Sequence, residues 1–173
     1  MRTLLVLRHA KSDRSDPCLP DHDRPLAPHG EADAPRIGAA LAALAVMPDC
    51  IITSTAVRAR DTAHLVVAAF ADNYNGRIDE RDTVYAADVP ALLTVLRACD
   101  DAHETVLLVG HNPGLEDLIS VLVGGGEMHP VTRLPTAALA CLSLDIAHWA
   151  AIDAASGSLA WLLTPRILAS LAR

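Results

Sequence analysis

The sequence predicts an α/β fold, a three-layer sandwich in which helices cover both faces of a mostly parallel central sheet. Three short apolar runs at residues 3–7, 50–53 and 105–109 lack polar alternation. Such runs are typical of strands buried on both faces, as in a parallel sheet covered by helices. Helical patterns separate them, and this alternation of strand and helix favours a doubly wound sheet.

Four segments between and after these strands repeat apolar residues at helical spacing. Within each segment these residues lie on one face of the predicted helix. The four sets are Ile37, Leu41 and Leu44; Ala59, Ala63, Val66 and Val67; Leu92, Leu93 and Leu96; and Leu115, Leu118, Ile119 and Leu122. Because proline lacks an N–H, we expect Pro35 to begin or interrupt the first helix, with Asp33 as its cap.

The remaining elements complete one predicted domain that spans residues 1–173. The apolar run at 138–144 predicts a fourth strand, and residues 77–85 are expected to hold a short one. A further strand is predicted at 158–163, followed by a closing helix from Pro165. A chain of 173 residues is of ordinary size for a single domain.

Composition and charge exclude several functional classes. The chain is 51% apolar and 20% charged, and its 14 basic and 21 acidic residues give a net charge of −7. This charge argues against a nucleic-acid or anionic-membrane surface, which needs clustered positive charge. No apolar stretch reaches the length of a membrane span and no signal peptide is recognisable, so we expect a cytoplasmic protein with no membrane contact.

The cysteines do not indicate a metal site or a cysteine nucleophile. None of the four forms a CxxC pair, so no zinc site of that type is predicted. Cys18 and Arg24 have the spacing of a cysteine-dependent phosphatase signature. Between them, however, Pro20 removes an amide donor and two acidic residues, Asp21 and Asp23, repel an anion, so we set that interpretation aside.

Basic and imidazole side chains follow the three central strands, where ligands bind in open α/β sheets. Arg8 and His9 end the first strand, Ser54 ends the second with Arg58 one turn later, and His111 follows the third. Two guanidinium groups can hold a phosphoryl group by bidentate hydrogen bonds, and a neutral imidazole nitrogen can attack phosphorus. The sequence therefore predicts a phosphoryl-transfer site at this edge of the sheet.

Five motifs, in this order along nearly the whole chain, resemble the histidine phosphatase superfamily, and within it the small phosphohistidine phosphatases of the SixA type. They are LLVLRHAKS at 4–12, DRPLAPHG at 23–30, ITSTAVRARDTA at 52–63, LLVGHNPGLEDL at 107–118 and LPTAALACL at 134–142. The resemblance implies the phosphoglycerate-mutase-like fold and a metal-independent phosphatase that needs no cofactor and passes through a phosphohistidine intermediate.

The resemblance also implies roles for individual residues. His9 would be the nucleophile, Arg8 and Arg58 would clamp the phosphoryl oxygens, and His111 would donate to the phosphoryl group. Three further residues of these motifs are expected near the substrate: Asn112, Ser12 and Lys11. Asn112 could instead serve only in a turn, and Ser12 and Lys11 could instead be solvated.

One departure from the family concerns the acid that protonates the leaving group in its larger members. Glu80, Asp82 and Asp88 are the candidates, although each also fits a solvated surface charge. A missing acid would suit a labile P–N bond, because imidazole is a stable leaving group. We therefore expect a phosphorylated protein partner, such as a histidine-phosphotransfer domain.

Two alternatives stay open. A small phosphorylated metabolite, such as a sugar or nucleotide-related phosphate, would make the chain a phosphomonoesterase of the same superfamily. A non-catalytic phosphoryl-binding module is the other, but the presence of all four core residues disfavours it. The short chain and the missing acid argue against a mutase.

Overall fold

The structure, a computed structural model, describes residues 1–70, 74, 76–124 and 131–171. Its described strands form one six-stranded sheet in the order β3-β2-β4-β1-β5-β6. The strands are β1 (Arg2–Arg8), β2 (Cys50–Ser54), β3 (Ile78–Arg81), β4 (Thr105–Gly110), β5 (Leu139–Leu144) and β6 (Gly157–Leu163). All six fall on the segments that the sequence predicted as strands.

The first four strands run parallel, and β5 and β6 complete the sheet in antiparallel pairing. Both faces are covered, as the unbroken apolar runs predicted. Leu4 and Val6 of β1 belong to the core on one face, while Leu5 and Leu7 belong to the core on the other. The predicted α/β sandwich with a mostly parallel sheet is confirmed.

Five helices are described, and four of them cover the sheet. They are α1 (Pro28–Ala43), α2 (Val57–Ala68), α3 (Val89–Arg97), α4 (Gly114–Gly124) and α5 (Pro165–Leu171). Apolar residues of α1 and α2 bury one face, those of α3 and α4 bury the other, and α5 contacts α1. Among the described helices, none is both long and apolar enough to cross a membrane.

The prediction for the start of the first helix was wrong. The helix begins at Pro28, which occupies its first position, and it continues through Pro35. Proline at a helix start is favourable because that N–H has no partner in any case. Burial of Ile37 and Leu41 against the sheet holds the helix past the second proline. Asp33 is no cap, since its buried carboxylate pairs with side chains on its own helix, those of His29 and Arg36.

The start of α1 packs closely on the loop that follows β1. A methyl group on Gly30 would overlap the carbonyl oxygen of Lys11, so this contact requires glycine. The same carbonyl accepts a hydrogen bond from the amide of Ala27 at 2.8 Å. Helix α1 therefore holds the backbone of the loop that carries His9.

Candidate active site

The carboxyl ends of β1, β2 and β4 lie side by side, because β4 sits between the other two strands. This arrangement brings together the four residues predicted from the strand ends, Arg8, His9, Arg58 and His111. All four line one cavity of about 490 Å³. The rings of His9 and His111 lie 5.0 Å apart between centroids.

His9 is held with its Nε2 atom unprotonated. Its Nδ1 lies 2.8 Å from the carbonyl oxygen of Ala10. A carbonyl can only accept, so Nδ1 carries the ring proton and Nε2 keeps a lone pair. The Nε–H of Arg58 donates to that Nε2 across 3.3 Å. The hydroxyl of Thr62, in α2, accepts a hydrogen bond from the amide of Ala10 and so fixes the residue whose carbonyl binds His9.

His111 is held by a buried serine and by the same arginine. Arg58 Nη2 lies 3.3 Å from His111 Nδ1, and because a guanidinium only donates, Nδ1 is the acceptor. The other ring nitrogen, Nε2, therefore carries the proton and donates to Ser54 Oγ at 2.9 Å. Ser54 is fully buried, and the amide of Ala56 fixes its hydroxyl.

Both imidazoles are neutral at pH 7. Burial lowers the pKa of His9 to about 4, and the nearby charges of Arg58 and Arg8 act in the same direction. Burial likewise lowers the pKa of His111 to about 3, with further contributions from His9 and Arg58. A neutral imidazole with a free Nε2 lone pair is the form that can act as a nucleophile.

Arg8 and Asn112 are anchored on one backbone carbonyl. Arg8 Nη1 and Asn112 Nδ2 both donate to the carbonyl oxygen of Leu134, at 2.9 and 3.0 Å. The amide of Leu134 in turn donates to Glu116 Oε1 at 2.7 Å. Asn112 lines the cavity, and its side-chain amide shares with Arg8 the acceptor that fixes both.

Ser12 and Lys11 also line the cavity, in the loop after His9. Ser12 is buried and pairs with Leu26 in an isolated antiparallel bridge, whereas Lys11 is exposed. The loop is thus fixed by its backbone, and the ammonium group of Lys11 stands at the solvent side of the site.

The three acidic candidates occupy different places. Glu80 faces His64 across 3.7 Å, and Asp82 accepts a hydrogen bond from the hydroxyl of Thr55 at 2.6 Å. Asp88 lines the cavity, but its carboxylate caps α3 by accepting the amide of Ala91. Of the three, Asp88 alone borders the space where a substrate would bind.

Asp21 is an acidic residue of the site that the sequence did not indicate. Asp21 lies in a short 3₁₀ helix, Asp21–Asp23, and its Oδ2 accepts from Arg58 Nη2 at 2.8 Å and from the Tyr85 hydroxyl at 3.1 Å. Burial raises the pKa of this carboxyl, but the hydrogen bond and charge of Arg58 outweigh it and hold the pKa below its usual value. Asp21 is therefore an anion bound to the arginine.

The assembled groups suit an incoming phosphoryl dianion. An uncharged nucleophilic nitrogen and two guanidinium groups border the same cavity, and guanidinium matches the oxygens of a phosphoryl group bidentately. Over the part of the chain that is described, no group of three or more His, Cys, Asp and Glu side chains is arranged to hold a metal ion.

Comparison with known proteins places the chain in a family. The family model of the histidine phosphatase superfamily (branch 1) matches residues 4–82. An uncharacterised protein of Mycobacterium tuberculosis is 35% identical over 167 residues, covering 92% of this chain and all of that protein (100%).

Two solved structures share the fold over nearly their whole lengths. A candidate phosphohistidine phosphatase SixA from Agrobacterium tumefaciens superposes with a TM-score of 0.79 at 30% identity, covering 95% of this chain and 98% of that one. A second candidate SixA, from Nakamurella multipartitia, gives a TM-score of 0.80 at 27% identity, covering 95% and 96%. The predicted phosphoglycerate-mutase-like fold is confirmed, and the chain belongs to the histidine phosphatase superfamily of phosphatases, within its SixA type.

Proposed function

We propose that this protein dephosphorylates phosphohistidine in a partner protein, such as a histidine-phosphotransfer domain, with His9 as the nucleophile. The observation that carries the proposal is the state of His9, a neutral ring whose Nδ1 is bound to the Ala10 carbonyl. Its Nε2 lone pair faces Arg58 at 3.3 Å.

The reaction has two balanced steps. In the first, the Nε2 lone pair of His9 attacks phosphorus, the P–N bond of the substrate breaks, and the departing imidazole takes the electron pair and a proton from solvent. In the second, water attacks phosphorus, the P–Nε2 bond breaks, and phosphate leaves while His9 regains its lone pair and one proton of the water returns to solvent.

The arginines and His111 act on the charge of the transferring group. The phosphoryl oxygens displace His9 and His111 as acceptors for Arg58, while Arg8 binds from the other strand end. His111 donates from Nδ1 once a proton from solvent has been added there, because this nitrogen is an acceptor before the substrate binds. The guanidinium donors of Arg8 and Arg58 stabilise charge on the transferring group as it develops.

Two of the three carboxylates that line the cavity, those of Asp21 and Asp88, support a P–N substrate over an ester. Asp21 is ionised and bound to Arg58, and Asp88 is engaged as a helix cap. A carboxylate in such a position is a poor acid for an alkoxide, whereas imidazole leaves without strong acid assistance. The two SixA-type structures described above are also named as candidate phosphohistidine phosphatases.

The deciding experiment compares kcat/KM on a phosphorylated histidine-phosphotransfer domain with a panel of sugar and nucleotide phosphates, with EDTA present. We expect a large preference for the phosphoprotein and complete loss in His9→Ala. His64→Ala is the matched control, because that histidine is exposed on α2 and faces Glu80. A preference for the small esters, or dependence on a divalent ion, would overturn the proposal.

A small-molecule phosphomonoesterase is the second candidate, and the position of Asp88 at the cavity is the observation that favours it. Asp88→Asn separates the two, because asparagine caps a helix as well as aspartate but cannot supply a proton. We expect the variant to keep its phosphohistidine activity. A loss confined to ester substrates would identify Asp88 as the acid of an esterase.

A further inference from the structure

The guanidinium of Arg58 is divided between two sets of partners, one on each of two edges. Its side-on edge, formed by Nε and Nη2, faces His9 Nε2 and His111 Nδ1 at 3.3 Å each. Its end-on edge, formed by Nη1 and Nη2, meets Asp21. There Nη1 donates to the backbone carbonyl of Asp21, and Nη2 donates to Oδ2 at 2.8 Å.

Asp21 is itself fixed from several sides. The Tyr85 hydroxyl donates to Oδ2 at 3.1 Å, and Arg24 Nη1 donates to Oδ1 at 3.2 Å. The next residue, His22, packs its ring edge-on against Tyr85 and bonds through Nε2 to the hydroxyl of Thr55. The 3₁₀ helix is thereby bound to the turn that precedes α2, the helix that carries Arg58.

We propose, on the basis of the proposed function, that Asp21 is a positioning residue that holds Arg58 by its end-on edge so that its side-on edge faces the transferring phosphoryl group. Free arginine side chains have many rotamers, and a clamp is effective only if its fork is oriented before the substrate arrives. Asp21 fixes that orientation from the edge that the two histidines leave free.

A second role for a carboxylate at this place is competition, in which Asp21 occupies Arg58 until a phosphoryl group displaces it. The two roles predict opposite signs. A competitor would strengthen anion binding when its charge is removed, whereas a positioning residue would weaken it. The division of Arg58 between its two edges favours positioning, because Asp21 does not occupy the N–H groups that face His9 and His111.

The test is a double-mutant cycle of Asp21→Asn and Arg58→Lys, read by the affinity for vanadate and by kcat/KM. We expect Asp21→Asn to weaken vanadate binding and kcat/KM about tenfold, as for the loss of one hydrogen bond to a charged group. In the Arg58→Lys background, where no fork is left to orient, the same substitution should change both by less than about twofold.

Asp23→Asn is the matched control, since this neighbouring aspartate pairs with His22 and is about as exposed as Asp21. Tyr85→Phe should shift both readouts in the direction of Asp21→Asn by a smaller factor. Equal losses in both arginine backgrounds, or tighter vanadate binding in Asp21→Asn, would overturn the proposal. If the wild-type protein failed to hydrolyse phosphohistidine, the proposed function would fall, while the vanadate cycle would still test Asp21.

Discussion

Replacing Arg58 with lysine preserves the positive charge of the site and removes the paired N–H donors of the guanidinium. Arg58 presents two N–H donors, on Nε and Nη2, to the space between His9 and His111. An ammonium group can occupy only one of these two positions at a time. It also cannot reach the end-on contacts with Asp21 while it faces the site.

The size of the effect follows from the hydrogen bonds that lysine cannot make. At least one charge-assisted hydrogen bond to the transferring group disappears, and such bonds contribute about 1.5–3 kcal/mol. Since about 1.4 kcal/mol corresponds to a factor of ten, we expect kcat/KM to fall about 10- to 150-fold.

Steady-state kinetics on a phosphohistidine protein measures the fall in kcat/KM. Thermal unfolding of the variant checks that the fold tolerates the buried lysine. Arg60→Lys provides the control, because Arg60 lies two residues further along α2, is only partly buried and pairs with its neighbour Asp61. Turnover by Arg58→Lys within twofold of the wild type would refute the bidentate clamp.

Three more predictions concern the buried polar groups. Because the pKa of His9 is about 4, kcat/KM should stay level down to about pH 5 and fall below that as Nε2 is protonated, so an acid limb near pH 6.5 would contradict the structure. The folded pKa values of both histidines lie below 6.5, so the unfolded state binds more protons from pH 6.5 down to about 4. The free energy of unfolding, measured by urea titration at each pH, should therefore rise with pH across that range. His9→Asn should make this dependence on pH weaker. Ser54→Ala should cost about 1–3 kcal/mol of stability and lower activity, because His111 loses its partner. Ser120→Ala, at a buried serine on α4, should lose stability with full activity.

The parts of the fold and site that the sequence predicts are those that depend on nearby residues. Unbroken apolar runs predict strands buried on both faces, and the residues that end them fall at one sheet edge because parallel strands share their direction. Arg8, His9 and His111 follow from that rule alone, and Arg58 follows from the helix after Ser54.

The residues that the sequence did not predict act through contacts between distant segments. Asp21 lies 37 residues before Arg58, in a polar stretch without periodicity, so its contact exists only once that stretch folds over α2. Its negative charge alone predicts repulsion of an anion, whereas in the structure that charge is bound to the arginine. The sequence also does not predict that Ser54 accepts a hydrogen bond from His111, because this contact depends on which ring nitrogen carries the proton.

The segment that holds Arg8 comes late in the chain, just before β5. The backbone of Arg8 pairs with Ala138, and its guanidinium binds the carbonyl of Leu134, which follows it by 126 residues. During synthesis from the amino terminus, His9 therefore leaves the ribosome long before the segment that holds its neighbour in place. We expect the nascent chain to stay inert toward phosphoryl groups through most of its translation, and chains that stop short of β5 to carry the nucleophile without the activity.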